Sequence, residues 1–352
     1  MAADIRSILK KLETGGDPSR DDIVALLQAP NDTLLFTAAD ATRERFLGSQ
    51  VHLRGIIEFS NHCTKNCLYC GLRKDNRRLQ RYRMSTDEIL AAAKEGAAAG
   101  LRTIILQSGE DSFFTGEMLA WLITRIKERH DVAVTMSVGD RTKGDYRLMR
   151  KAGADRYLLK QETADPELFS RLRPGTALAG RIKRLRWLKE LGFQVGSGCM
   201  VGLPGQDVET LADDIMLMRE LDVEMAGIGP FIPHPDTPLS NAKGGEVAAT
   251  LRVLAVTRLV LPHIHLPATT ALGSIHSEGR EMALRCGANV VMPDITPVQY
   301  KKLYEIYPNK ICINEEGPAH CVPCISGIIF RSGRSVGTGY GHSAAQSIEE
   351  QK

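Results

Sequence analysis

The chain has 352 residues, 43% of them apolar and 25% charged, and 45 Lys+Arg against 42 Asp+Glu give a net charge of +3. This balance excludes a disordered, collagen-like or coiled-coil chain, and without a run of about 18 apolar residues no membrane span is expected. So small a charge excess gives no ground for nucleic-acid binding, and the basic run at Arg77, Arg78, Arg81 and Arg83 reads as a solvated loop. The first residues, Met1-Ala-Ala-Asp-Ile-Arg, lack the apolar core of a secretory signal. Six of the eight cysteines fall in two tight groups, a pattern that favours metal or redox chemistry in a reducing cytoplasm over a disulfide framework.

In chain order, residues 1–50 read as a helical extension, with Ile5, Ile8, Leu9 and Leu12, then Ile23, Leu26 and Leu27, recurring at helical spacing. From Val51 short apolar runs alternate with amphipathic stretches. Strands are expected at Val51–Phe59, Thr103–Ser108, Ala133–Val138, Arg156–Gln161, Gln194–Val201, Met225–Phe231, Leu266–Ala271 and Asn289–Pro293. Helices are expected near 86–99, 116–129, 143–152, 178–191, 207–220, 246–261, 277–285 and 297–306. Ser85 and Glu88 form a capping box for the first of them. Eight strand–helix repeats predict an α/β fold of the (β/α)8 barrel type over residues 51–310, with a C-terminal segment, 311–352, that carries three cysteines and a mobile Gly/Ser-rich tail from Arg331. A doubly wound open sheet fits less well, because the first strand runs into a cysteine loop and not a Gly-rich phosphate turn.

Barrel active sites lie at the C-terminal ends of the strands, so the loops leaving those ends are the informative ones. After the first strand comes Cys63-Thr64-Lys65-Asn66-Cys67-Leu68-Tyr69-Cys70, a C-x3-C-x2-C spacing. Three thiolates in one loop can hold three irons of a [4Fe–4S] cube and leave the fourth open. Zinc or unliganded thiols are the alternatives; zinc wants a fourth ligand, and His62, adjoining Cys63, is an awkward one. The second strand ends in Gln107-Ser108-Gly109-Glu110, which can approach an ammonium group or be a plain turn. The fourth ends at Glu162, a carboxylate able to accept from hydroxyls or to cap a helix, and Arg181 opens the following helix. The glycine-rich stretches around Met200 and Pro230 let a flat ligand approach the backbone.

The cysteine loop, with Tyr69 before its last cysteine, resembles the radical S-adenosylmethionine (SAM) superfamily. The resemblance implies that Cys63, Cys67 and Cys70 bind the cluster. It also implies that SAM lies on the open iron, held by Tyr69, Gln107, Ser108, Glu162, Arg181, Met200 and Pro230, and is cleaved reductively to a 5′-deoxyadenosyl radical. Further segments narrow the likeness: Ile57-Glu58-Phe59-Ser60-Asn61, Tyr82-Arg83-Met84, Gly227 to Leu239 and Pro267-Ala268-Thr269-Thr270-Ala271 resemble the HydE family of [FeFe]-hydrogenase maturation enzymes. Biotin synthase and methylornithine synthase share the loop and fold and form the alternative.

That family resemblance implies an iron–carbonyl–cyanide–cysteine substrate made by a companion radical enzyme, delivery of the product towards the diiron subcluster through a scaffold GTPase, and an electron donor such as ferredoxin or flavodoxin. Arg54, Thr135, Ser137, Arg156, Met225, Thr269, Thr270, Met292, Tyr304 and Tyr307 are the candidate substrate residues. Arg54 and Arg156 inside a barrel suggest an anionic ligand, whereas Met225 and Met292 can also be read as core filler. Cys312, Cys321 and Cys324, spaced C-x8-C-x2-C, suit an accessory [2Fe–2S] or [4Fe–4S] cluster, with zinc or bare thiols as rivals.

Overall fold

The computed structural model describes residues 5–312 and 317–343. Three helices, α1 (Ile5–Glu13), α2 (Arg20–Leu27) and α3 (Asp32–Leu47), precede the strands. They bury Ile8, Ile23, Leu26, Leu27 and Leu35 against the barrel and are tied to it by ion pairs such as Asp32–Arg252 at 2.8 Å.

The strands are β1 (Gln50–Leu53), β2 (Gly55–Ser60), β3 (Thr103–Ser108), β4 (Ala133–Ser137), β5 (Arg156–Leu158), β6 (Gln194–Ser197), β7 (Met200–Val201), β8 (Met225–Ala226), β9 (Gly229–Pro230), β10 (Val290–Val291) and β11 (Ser335–Val336). Parallel pairing runs β2-β3-β4-β5-β6-β8. The ring then closes through the parallel bridges Met225–His265, Pro267–Val290 and Ile56–Asp294, giving eight positions around one barrel. Every residue of β2 is buried, because a parallel strand here has two covered faces. Ile56 and Glu58 point into the barrel cavity, while Ile57 and Phe59 pack under the helices. The expected capping box forms: Ser85 Oγ accepts from the Glu88 amide at 3.3 Å, and Glu88 Oε2 accepts from the Ser85 amide at 2.8 Å.

Three expectations fail near the C-terminus. The seventh run is not a full strand. It contributes only bridges at His265 and Pro267, since proline has no N–H for the ladder, and Thr269 caps the helix Thr270–Ile275 instead. The expected helix over 297–306 is a single turn, Val298–Lys301. Beyond it the chain bends inward so that Lys310 reaches the buried carboxylates of Glu58 and Asp294.

The segment from Arg331 is not a mobile tail over its described part. It leaves a helix, Gly317–Arg331, pairs β11 in parallel with β1, and then seals the N-terminal end of the barrel. The Tyr340 carbonyl accepts from Thr103 Oγ1 at 2.9 Å and from Arg156 Nη2 at 2.8 Å, and the Gly341 carbonyl accepts from Arg54 Nη2 at 3.1 Å. Gly341 has φ +61, and a Cβ there would lie 2.6 Å from the His52 ring. The last nine residues, 344–352, lie outside the described part.

This floor holds three neutral histidines. Burial, reinforced by nearby arginines, pushes His52 and His342 down to about 4 and His265 well below its usual range. The charges facing them are Arg54, Arg156, Arg334, Lys127 and Asp155. An unfolded chain takes up protons on these rings below about 6.5 while the folded floor does not, so stability falls as pH drops from about 6.5 towards 4. Amide exchange of residues 337–343 should therefore accelerate over that window ahead of β3 and β4; simultaneous acceleration throughout the barrel would show that these histidines do not govern the floor.

Candidate active site

β2 ends at Ser60, and the cysteine loop turns over the barrel mouth from there. Asn61, fully buried, donates to the Gln80 carbonyl at 2.8 Å and the Leu303 carbonyl at 2.7 Å, which pins the loop at its start. Two glycines are there because nothing larger fits. A Cβ on Gly71 would meet the Glu305 carbonyl at 2.0 Å and the His234 ring at 2.6 Å, and one on Gly109 would meet the His62 carbonyl at 2.2 Å. The backbone amides of Lys65 and Glu110 both approach Cys63 Sγ at 3.4 Å.

Burial raises all three thiols above the ordinary cysteine range, most strongly Cys70, which also feels Cys67 and Cys63. Empty, they are protonated; a metal must displace those protons. Among the described residues no group of three or more His, Cys, Asp or Glu side chains closes on the geometry of a single metal ion. An all-sulfur donor set facing one cavity, with amides directed at a sulfur, fits an iron–sulfur cluster.

Asp111 locks the mouth. Its carboxylate accepts from Ser60 Oγ at 2.7 Å, from Arg83 Nε at 2.7 Å and Nη2 at 3.0 Å, and from the Phe113 amide at 3.1 Å, while its carbonyl accepts from Arg141 at 2.9 Å. Burial opposes its charge, but these donors hold it below the usual carboxylate range.

The thiols open onto a cavity of about 380 Å³ that runs down the barrel axis. At the height of the loops it is lined by Tyr69, Gln107, Ser108, Glu110, Ser137, Glu162, Arg173, Arg181, Met200 and Pro230, with Thr269, Thr270, Tyr304 and Tyr307 on the segments that follow the seventh and eighth strand positions; deeper, towards the strand starts, lie Arg54, Thr135, Met225 and Met292. A second groove, of about 570 Å³, lies between the turn at Gly202–Val208 and the stretch Lys243–Val253 and holds no cysteine.

Two features of the upper cavity suit a zwitterionic ligand. Arg181, 4% exposed, faces Asp140 at 3.5 Å and Glu110 at 3.9 Å without hydrogen-bond geometry, which leaves its Nε and Nη2 unpartnered. Glu162 adopts φ +67, a left-handed conformation costly for a non-glycine residue, and bridges Cys199 in parallel. That strain aims its carboxylate into the cavity, where Lys160 Nζ sits 3.4 Å away.

The family model that matches, over residues 57–218, is the radical SAM superfamily. The chain is 48% identical over 96% of its length, and 97% of the relative's, to the [FeFe] hydrogenase maturase subunit HydE of Thermotoga maritima. The chain belongs to the radical SAM superfamily, in its HydE family. A 3-methylornithine synthase of Methanosarcina acetivorans is 31% identical over 80% of this chain and 81% of its own. The crystal structure of methylornithine synthase superposes with TM-score 0.82 at 25% identity, over 94% of this chain and 97% of that one. That of the maturase HydG from Carboxydothermus hydrogenoformans gives 0.78 at 21% identity over 94% and 78%, a likeness of fold.

Of the residues singled out for this radical SAM site from sequence, Arg156 is not in the cavity. It lies at the start of β5, fully buried, and donates to Gln194 and Thr103 as well as Tyr340, so the floor and not a ligand satisfies it. Cys312, Cys321 and Cys324 also lie off the cavity: Cys321 is buried and Cys324 exposed on the helix Gly317–Arg331, and residues 313–316 between them and Cys312 are outside the described part.

Sequence reasoning missed Arg173, which donates to the Tyr69 hydroxyl at 3.0 Å and to Glu110 at 3.4 Å, and the Glu58–Lys310 pair in the cavity wall. Burial and the neighbouring Asp294 raise Glu58 well above an ordinary glutamate. A glutamate inside the first barrel strand was the available signal for that pair; Arg173 sits in an irregular turn and carries no spacing signal at all.

Replacing Asp111 with alanine should lower the unfolding free energy by about 2–3 kcal/mol, less than the 3–5 of a fully buried pair because Arg83 is partly exposed. Urea unfolding measures this, and a loss below about 0.5 kcal/mol, the level of an ordinary surface change, would show that the clamp is dispensable.

Proposed function

We propose that this chain is an [FeFe]-hydrogenase maturase that acts on an iron–carbonyl–cyanide–cysteine precursor during assembly of the diiron subcluster. Cys63, Cys67 and Cys70 would hold a [4Fe–4S] cluster, whose chemistry when bound would be one-electron reductive cleavage of SAM. The observation that carries this reading is a single cavity with three thiols at one end and unsatisfied donors along it, in a chain that matches a HydE protein over nearly its whole length.

The chain's own residues divide the work by depth. Arg181 offers the N–H groups that make no hydrogen bond to the ligand carboxylate, and Glu162 accepts from the ribose hydroxyls. Tyr69, Gln107 and Ser108 frame the amino end, and Met200 and Pro230 present backbone to the adenine. Lower down, Thr135 Oγ1 and Arg54 Nε are buried without hydrogen-bond partners, and beyond the seventh strand position Arg280 donates to Thr270 Oγ1 at 3.2 Å. These groups, with Ser137, Met225, Thr269, Met292, Tyr304 and Tyr307, suit an anionic, partly apolar metal complex. The plugged floor shields this chamber from water, which keeps a carbon radical from side reactions. The same reading places a companion radical maturase and a scaffold GTPase upstream and downstream, a second iron–sulfur site at Cys312, Cys321 and Cys324, and the protein in the cytoplasm. No helix among the described residues is long and apolar enough to cross a membrane.

Alanine at Cys63, Cys67 and Cys70 together should abolish 5′-deoxyadenosine formation under anaerobic reduction, whereas alanine at Cys312, Cys321 and Cys324 should lower bound iron yet leave that reaction intact. The reconstituted wild type should consume the iron–cysteine complex and leave lysine unrearranged. Rearrangement of lysine would favour the 3-methylornithine synthase reading, for which the 0.82 superposition and 31% relative speak.

A second prediction uses the strain at Glu162. Glycine accepts positive φ without penalty, so Glu162→Gly should leave the melting temperature unchanged or higher. SAM affinity should fall by about 10–100-fold with the loss of a charge-assisted contact of about 1.5–3 kcal/mol. A variant that melts lower and binds SAM normally would place the carboxylate in the framework and not at the ligand.

A further inference from the structure

The helix Val208–Glu220 carries two adjacent aspartates with opposite fates. Asp213 pairs with Arg20 at 2.5 Å on the surface. Asp214 turns inward, on the same side as Ile215, Leu217 and Met218, and is 0% exposed. Burial pushes its carboxyl well above the usual carboxylate range, although the Ala164 amide lowers it, and Asp213 and Glu162 add negative charge beside it. A carboxylate sunk without a cation is costly to the fold. Both of its oxygens are nevertheless employed. Oδ1 accepts from the Ala164 amide at 2.5 Å and Oδ2 from Gln206 Nε2 at 3.4 Å. Gln206 has a fixed orientation, because its Oε1 accepts from the Gly202 amide at 2.8 Å and the Leu203 amide at 3.3 Å; its Nε2 then also donates to the Met200 carbonyl at 2.9 Å. The backbone carbonyl of Asp214 accepts from Gln161 Nε2 at 2.9 Å.

These bonds close a ring around Glu162. The Glu162 amide donates to the Gly198 carbonyl at 3.0 Å, and its carbonyl accepts from the Met200 amide at 3.1 Å. Its flanks, Gln161 and Ala164, are fastened to Asp214, and Met200 returns to Asp214 through Gln206. A non-glycine residue at positive φ persists only where its surroundings over-determine it. Without Asp214, Glu162 is held from one side alone. We propose that Asp214 is the positioning residue of the nucleoside slot, setting the separation between Glu162, which takes the ribose hydroxyls, and Met200, whose backbone faces the adenine. The inference rests on the SAM reading of that slot. Asp214 does not itself line the cavity. It acts by holding two stretches of backbone, so its worth lies in accepting hydrogen bonds and not in its charge. Ser108 and Arg181, assigned to the methionine half of SAM, stand on β3 and on the helix Leu178–Glu190, outside the ring.

The test compares Asp214→Ala, which removes both acceptors, with Asp214→Asn, which keeps an oxygen for the Ala164 amide and fills the same space, in the reconstituted holoenzyme. SAM and L-methionine are titrated separately, and 5′-deoxyadenosine formation under dithionite is followed against SAM concentration. Asp214→Ala should weaken SAM binding at least ~10-fold and raise KM to match, with kcat at saturating SAM within about threefold of wild type. Methionine binding should not change. Asp214→Asn should recover SAM affinity to within about threefold of wild type. In a Glu162→Gly background, where one wall of the slot is already lost, Asp214→Ala should cost less than it does alone. Equal losses of SAM and methionine would make Asp214 a general support of the fold and overturn the proposal. So would full additivity with Glu162→Gly, or a loss in Asp214→Asn as large as in Asp214→Ala, which would put the role in the charge. If Asp214→Ala does not fold, Gln206→Ala opens the ring at its other arm and should weaken SAM about threefold or more with methionine unaffected; unchanged SAM affinity there overturns the proposal as well. A wild type that binds no SAM defeats the SAM reading and the proposal with it, whereas a wild type and an Asp214→Ala variant that bind SAM equally defeat the positioning role alone.

Discussion

The mouth of this barrel depends on one carboxylate. Asp111 binds the end of β2, the basic loop through Arg83, its own turn through Phe113, and the loop after β4 through Arg141. Four chain segments therefore meet at this one residue, three through its carboxylate and the loop after β4 through its backbone carbonyl. The cysteine loop has no secondary structure of its own to fix it. Its rigidity is borrowed from this carboxylate, from Asn61 and from the glycine contacts at Gly71 and Gly109, where backbones touch. Preorganisation of this kind lets three thiols meet one cofactor without reordering the loop.

Two buried arginines show how the protein distinguishes structure from site. Arg156 and Arg181 are both nearly inaccessible, and composition alone treats them alike. Arg156 has its donors filled by a side-chain amide, a hydroxyl and a backbone carbonyl. Arg181 has two nitrogens, Nε and Nη2, that face Asp140 at 3.5 Å and Glu110 at 3.9 Å without a hydrogen bond. An unsatisfied buried donor is expensive in a folded chain, and a ligand reaching Arg181 would relieve that cost. The same test separates Thr135, orphaned in the cavity, from Thr103, committed to the floor.

The barrel and its cluster loop were legible in the sequence because both rest on local signals. Strand–helix alternation needs only hydrophobic period and caps such as Ser85, and cysteine spacing needs no fold at all. The illegible part was long-range. Nothing in the Gly- and Ser-rich stretch after Arg331 says that it returns to a strand some 280 residues earlier, and without that return Arg156 looked like a ligand residue. The buried partner of Lys310 is equally remote, since Glu58 lies 252 residues before it. Arg173 lies in a turn whose importance appears only when Tyr69 and Glu110 stand beside it.

The pairing of β11 with β1 also sets an order of events during synthesis. Val51 emerges from the ribosome long before Val336, its partner in the register, and Arg54 and Arg156 must wait for the carbonyls of Gly341 and Tyr340. Contacts of such separation form late, after the entropy of closing a very long loop has been met. Until those carbonyls arrive the barrel is an open cup with charged residues at its base. The cup becomes a closed vessel only as its final strand arrives.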